Sequence, residues 1–218
     1  MNFLLLLSLI GITVAVYSGG RHFSSSEEYG RPSRPRPPNR PPSRPRPPPA
    51  RGCESGWMTF NRPQGTWCVK VFWGPIIWNA AQNACGALGA KLTGLQDANE
   101  RMQVANAGRA LSLQYGGGLQ EIIIDGIRRP ECPRRNSCPK LTTFQWTDGH
   151  TTGTDGFYWP GQEPNAMFTP GRGLQSVIIM HISPRDGMIA RYGYPHGSLD
   201  DAYFNGNHNM HACGKRPS

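Results

Sequence analysis

The 218-residue chain lacks the patterns that most often announce catalysis. It has no GxSxG elbow, no HExxH helix and no phosphate-binding glycine loop, and no enzymatic activity is expected. None of its six cysteines forms a CxxC pair, which removes the close spacing of a cysteine zinc site. Beyond the N-terminal apolar run, no segment is long and apolar enough to span a bilayer, which takes about 20 residues. Acid is missing altogether from residues 31–51, which hold seven arginines. Residues 53–218 carry 15 basic and 12 acidic residues, so most of the net +9 belongs to the short basic segment. The charge is therefore not the mark of a nucleic-acid-binding domain, and no nucleic-acid partner is expected.

The apolar run Phe3–Val16 is too short to span. Small residues follow it, with Val16 and Ser18 placed for cleavage after Ser18. Residues 1–18 are expected to be a secretory signal peptide, although no basic residue precedes the apolar run; a short membrane anchor is the alternative. Export would place the cysteines in an oxidising compartment, where an even number implies disulfides. The expected location is extracellular, with no transmembrane segment in the mature chain.

Residues 19–52 read as a linker. PSRPRPP occurs at 32–38 and again at 42–48, and residues 31–50 contain ten prolines. So much proline removes backbone donors and locks φ, leaving extended polyproline II as the expected state. The segment is either a stiff spacer or an arm that grips polyanionic surfaces.

Residues 53–216 have the size of one domain. Trp67, Val69, Val71 and Trp73 alternate with Cys68, Lys70 and Phe72, as a strand would. Ile76–Leu88 is expected to be a helix with Ile77, Ala81, Ala84 and Leu88 on one face and Gly89 as its stop. A second helix is expected from Asp97 to Leu113, with Asp97 as cap and Glu100 completing a capping box. Glu121–Ile127 and Val177–Ile182 read as buried strands, and His211–Lys215 as a short closing one. The stretch 128–176 is rich in Gly, Pro, Thr and Asp, and an irregular stretch of that length in a compact domain is usually functional or disordered.

Several motifs in this region, taken in order, resemble the C-type lectin-like fold. CESGWMTF…WCVKVF is similar to the family's opening hairpin, and WNAAQNACGALGAKL to its first helix. IIIDGI stands where the family has an apolar strand, though without its Trp. FQWTDG resembles the Trp-Thr-Asp-Gly stretch, QEPN at 162–165 matches the Glu-Pro-Asn motif, and HACGK resembles the closing strand. The loop style and the insertion CPRRNSC are most similar to secreted nematode lectin-like families. The resemblance implies an α+β fold with two helices, small antiparallel sheets and a long irregular loop region. It also implies the pairing Cys53–Cys68, Cys85–Cys213 and Cys132–Cys138.

The same resemblance implies a sugar site built on Ca²⁺, a hard cation that takes about 6–8 oxygen ligands. Its counterparts here are Glu163, Asn165, Asp200 and Asp201. One further family ligand falls at Leu174, which offers no oxygen. Another family disulfide is absent from both of its positions, Ser176 and Phe204. Phe157-Tyr158-Trp159, just before the QEPN motif, is a candidate for stacking on sugar faces or for the core. His208 and His211 are three apart without a third ligand, a weak metal signal. No metal other than calcium, and no other cofactor, is expected. Two functions follow as alternatives. One is a secreted module recognising glycans or glycoproteins in the extracellular space or in innate defence, through calcium. The other is a calcium-independent domain binding protein or matrix, with the basic arm as spacer or polyanion-binding element.

Overall fold

A computed structural model describes residues 52–218. The expected signal peptide, and the Arg/Pro-rich linker up to Arg51, lie outside the described residues. The domain begins with a hairpin of β1 (Met58–Arg62) and β2 (Gly65–Ile76). Helix α1 (Trp78–Gly86), the short β3 (Lys91–Leu92), helix α2 (Ala98–Leu113) and β4 (Gln120–Arg128) follow. The irregular region contains only the short pieces β5 (Phe144–Gln145) and β6 (Phe168–Thr169) as strands. The chain closes with β7 (Gly173–Ile182), β8 (Leu199–Tyr203) and β9 (His208–Lys215).

The strand order is β1-β2-β9-β4-β7-β6, with β3 on β9, β5 on β4 and β8 on β7. All pairings are antiparallel except β4 with β9, which run parallel at Ile122↔Met210 and Ile123↔His211. The last strand thus lies between β2 and β4, so the beginning and end of the domain are neighbours in one sheet.

Both faces of that sheet are covered. Trp67, Val69, Val71, Ile122, Ile124, Met180 and Met210 join Val104 and Ala105 of α2 in one apolar core. Ile123, Val177, Ile179, Ala202 and Cys213 meet Trp78, Ala81 and Cys85 of α1 in a second. Side chains alternate across a strand, and a strand covered on both sides reads as a continuous apolar run. That is why Ile122, Ile123 and Ile124 in a row are all buried. Gly108 lets α2 come close: a Cβ there would run into Ile122.

The two helices depart from expectation in instructive ways. Helix α1 buries Trp78, Ala81 and Cys85, whereas Ile77 and Leu88 are 39% and 43% exposed. Both lie outside the helix, which is shorter than the expected Ile76–Leu88, while Cys85, tied to Cys213, joins Trp78 and Ala81 on its buried face. Helix α2 starts as expected, with Asp97 Oδ1 accepting the Glu100 N–H at 2.8 Å. Glu100 does not complete the capping box. Its carboxylate turns instead to the buried guanidinium of Arg62, which offers Nε at 3.0 Å and also donates to Gly94 O and Thr151 Oγ1. A charged fork with several donors outcompetes one backbone N–H.

Disulfides join Cys53 to Cys68, Cys85 to Cys213 and Cys132 to Cys138, with sequence separations of 15, 128 and 6. On the chain-entropy model the 128-residue closure contributes most. Replacing both Cys85 and Cys213 by Ala should cost about 4–5 kcal/mol, against about 2 kcal/mol for the Cys132/Cys138 pair, in denaturant unfolding. Arg62→Met should lose about 3–5 kcal/mol in the same assay, because it strands the buried Glu100 carboxylate without a partner. A loss below about 1 kcal/mol would mean that the pair is dispensable.

Candidate functional site

The long region between β4 and β7 has little regular structure, so its backbone donors find partners on side chains. Asp125 accepts the N–H groups of Thr147 and Asp148. Asp148 in turn accepts those of Gly94, His150 and Thr151, at 2.7–2.9 Å. Burial, which disfavours the charged carboxylate, pushes the pKa of Asp125 up to about 6, against the opposing pull of these hydrogen bonds. This hub carries the WTDG segment. Beneath it, Phe157 and Trp159 are buried in the core, and Trp146 stacks on Phe157 with centroids 4.2 Å apart. Of the Phe157–Trp159 triplet only Tyr158 turns outward, under the guanidinium of Arg101. The triplet is therefore mainly core.

The four candidate ligand residues converge. Glu163 and Asn165 lie on the loop before β6, joined by a cis Glu163–Pro164 bond. Asp200 and Asp201 lie on β8. One carboxylate oxygen from each of Glu163, Asp200 and Asp201 falls within 4.8 Å of the others, and all three residues are buried. They border a pocket of about 450 Å³ whose walls add Gln175, Arg172, Arg191, Tyr192 and Tyr194.

Most oxygens in the cluster are already engaged. Glu163 accepts from Tyr194 Oη, Asn165 Nδ2 and the Asn165 N–H. Asn165 Oδ1 accepts the Met167 N–H at 2.9 Å. Asp201 accepts the N–H groups of Asn165 and Ala166, each at 2.9 Å, and is ion-paired with Arg128. Asp200 Oδ2 faces His181 Nε2 at 3.2 Å. Asp200 Oδ1 is buried and has no partner.

Burial and mutual repulsion push Asp200 upward from the ordinary carboxylate pKa; burial does the same to Asp201, with Arg128 opposing. Burial also works against the charge on Glu163, but the Tyr194 hydroxyl and its other hydrogen bonds hold its pKa below the usual value. Burial thus disfavours charge on both aspartates, while hydrogen bonds favour it on Glu163.

This donor set does not fit Ca²⁺. Among the four residues only Asp200 Oδ1 lacks a hydrogen bond, so an ion would compete with the loop's own donors for the rest, and Ca²⁺ wants about 6–8 oxygens. Leu174, in the β6–β7 hairpin opposite Phe168, supplies none. The guanidinium of Arg128 also sits on one of the required carboxylates.

Other positions singled out by pattern have different roles. Ser176 lies at a register irregularity between β7 and β8, and Phe204 packs against Trp78 with centroids 5.2 Å apart. His208 and His211 serve separate purposes. His208 Nδ1 is 2.8 Å from Glu121, while His211 stacks on Phe72.

Several site residues carry no local sequence signal. Tyr192, Tyr194 and Arg191 come from residues 183–198, the connection between β7 and β8, and close one side of the pocket. Arg109 of α2 docks this segment through the Ser183 carbonyl and hydroxyl at 3.1 and 3.0 Å. His196 adds a second anchor, accepting the Ser183 N–H on Nδ1 and facing Asn106 Oδ1 with Nε2, both at 3.1 Å. Tyr192 has φ +61, a backbone region that bulky side chains rarely adopt, and is 71% exposed.

This sheet, its two helices and the disulfide-tied ends define a C-type lectin-like domain. The chain belongs to the C-type lectin domain-containing protein 141/158 family, whose model matches residues 58–210. Solved structures agree on the fold. The cow CD23 carbohydrate-recognition domain is 17% identical with a TM-score of 0.50, covering 77% of this chain and 98% of that one. CEL-I of Cucumaria echinata is 17% identical with a TM-score of 0.51, covering 76% and 99%. Herring type II antifreeze protein is 20% identical with a TM-score of 0.51, covering 76% and 100%. No curated protein sequence matches the chain.

The His196 anchor makes a testable statement about pH. Burial, with Arg109 adding to it, drives the imidazole pKa down to about 4. The neutral ring is the folded form, so its contribution is present above the unfolded value of about 6.5 and is lost as pH falls through the folded one. Imidazole proton shifts should titrate with a midpoint near the lower value. A midpoint near the free value would remove His196 as an anchor.

Proposed function

We propose that this protein is a secreted glycan-binding module whose ligand occupies the pocket between the Glu163–Asn165 loop, β8 and residues 183–198. The observation that carries this reading is the pairing of an exposed aromatic with a buried free acceptor. Tyr192 is 71% exposed beside a pocket that contains the unpartnered Asp200 Oδ1. Sugars present apolar C–H faces that stack on aromatic rings, and hydroxyls that need directional acceptors and donors. Asp200 Oδ1 offers an acceptor, while Arg172 and Arg191 on the same walls offer donors. Binding is direct, by hydrogen bonds and stacking, without a bridging ion. The cow CD23 domain, similar in fold, was solved with a GlcNAc2Man3 oligosaccharide, which supports glycan as the ligand class. Three disulfides fit an extracellular location. None of the described helices is long and apolar enough to cross a membrane.

The seven arginines of residues 31–51, with no acid among them, support a second contact to polyanionic surfaces. Deleting 31–51 should weaken retention on heparin and flatten its salt dependence. Unchanged elution would reduce the segment to a spacer.

The pocket reading is tested on a glycan array with the mature chain. Binding to a defined subset of glycans is expected. Tyr192→Ala and Asp200→Asn should each lower affinity for the best of them by about tenfold, or about 1.4 kcal/mol. Tyr192 is largely exposed, so its truncation should leave the melting temperature unchanged. No binding to any glycan, or equal binding by both variants, would sink this reading and favour a protein ligand.

A further inference from the structure

Arg128 stands at the end of the apolar strand β4, and its side chain is only 2% exposed. Its guanidinium is fixed on three sides. Nε donates to the Gln175 carbonyl of β7 at 2.8 Å, and one terminal nitrogen to the Cys132 carbonyl at 3.2 Å. The other terminal nitrogen pairs with Asp201, and the planar group lies 4.8 Å from the centroid of Phe144. Cys132 is itself tied by the Cys132–Cys138 disulfide. A guanidinium held by two carbonyls, a carboxylate and a ring has nowhere to swing without leaving buried donors unpaired.

Asp201 passes this order to the binding loop. Its two oxygens take the N–H groups of Asn165 and Ala166. Ala166 has φ +56, a conformation uncommon for a residue with a side chain, and the bond from its N–H to Asp201 helps hold it there. In a cluster that also contains Glu163 and Asp200, Arg128 is the cation bonded to a carboxylate from within the fold. It supplies opposite charge and orientation together.

We infer that Arg128 is the resident cation of this site. It takes the place of a metal ion in neutralising Asp201, and it shapes the Glu163–Ala166 loop for a ligand. It is a positioning residue, and ligand binding through this pocket is insensitive to calcium and to chelators. The inference rests on reading the pocket as the ligand site, but its test needs no glycan, so the two fail separately.

The mature chain is melted in 5 mM CaCl₂ and in 5 mM EDTA, and titrated with Tb³⁺, a calcium surrogate whose luminescence nearby tyrosines such as Tyr194 would sensitise. The melting temperature should differ by no more than about 1 °C between the two buffers, since a ligand stabilises only by binding the folded state. No Tb³⁺ luminescence that calcium can displace should appear. Arg128→Lys keeps the charge and should behave like the wild type. Arg128→Met removes the charge, and should acquire displaceable Tb³⁺ luminescence together with a melting temperature that rises with calcium. A saturable calcium shift in the wild-type chain would overturn the proposal. So would a folded Arg128→Met, judged by circular dichroism, that gains no response to either ion. Should that variant fail to fold, the wild-type arms decide the question alone.

Discussion

Buried carboxylates that accept backbone N–H groups are the interaction on which the upper half of this domain depends. A long connection without regular structure leaves its main-chain donors unpaired, and burying them unpaired is costly. Asp125 and Asp148 answer this need for the WTDG region, and Asp201 with Glu163 answers it for the EPN loop. The charge gathered in this way then needs its own compensation. Arg62 meets Glu100 beneath the first hub, and Arg128 meets Asp201 beneath the second. Each ion pair is buried, so neither is a surface ornament of small value.

This arrangement explains why the site is both acidic and ordered. The carboxylates serve the chain's own backbone. What remains open to a ligand is correspondingly small: one free oxygen on Asp200, the arginines on the walls and the exposed ring of Tyr192. The sheet below supplies the rigidity. Strand β9 inserts between β2 and β4, and Cys85–Cys213 ties α1 to it. Both β7 and β8, which carry Gln175, Asp200 and Asp201 of the pocket, are thereby attached to a doubly covered core.

Some of this was legible residue by residue. The alternation from Trp67 to Trp73 marks β2, and Asp97 marks the start of α2, because both signals are local. The face of α1 does not follow its apolar spacing. Ile77 and Leu88 fit a helical stripe, yet both lie outside the helix, whose buried face carries Cys85, tied to a disulfide partner far along the chain. Glu100 fits a capping box by position, but position does not reveal a buried arginine arriving from β1. Phe157 and Trp159 precede the EPN motif as a stacking surface would, and they face inward because Trp146 and Phe144 cover them.

By itself the sequence determined the family architecture and the four oxygen-bearing residues of the pocket. Those features rest on short motifs whose order survives without coordinates. Only the tertiary structure decided what these residues do. Arg128, His181, Tyr192 and Tyr194 come from other segments, and they meet Glu163, Asp200 and Asp201 through the pairing of β4, β7 and β8. A carboxylate's role depends on which charges and donors lie within a few ångströms of it. That is a property of long-range packing, which no local pattern in the chain encodes.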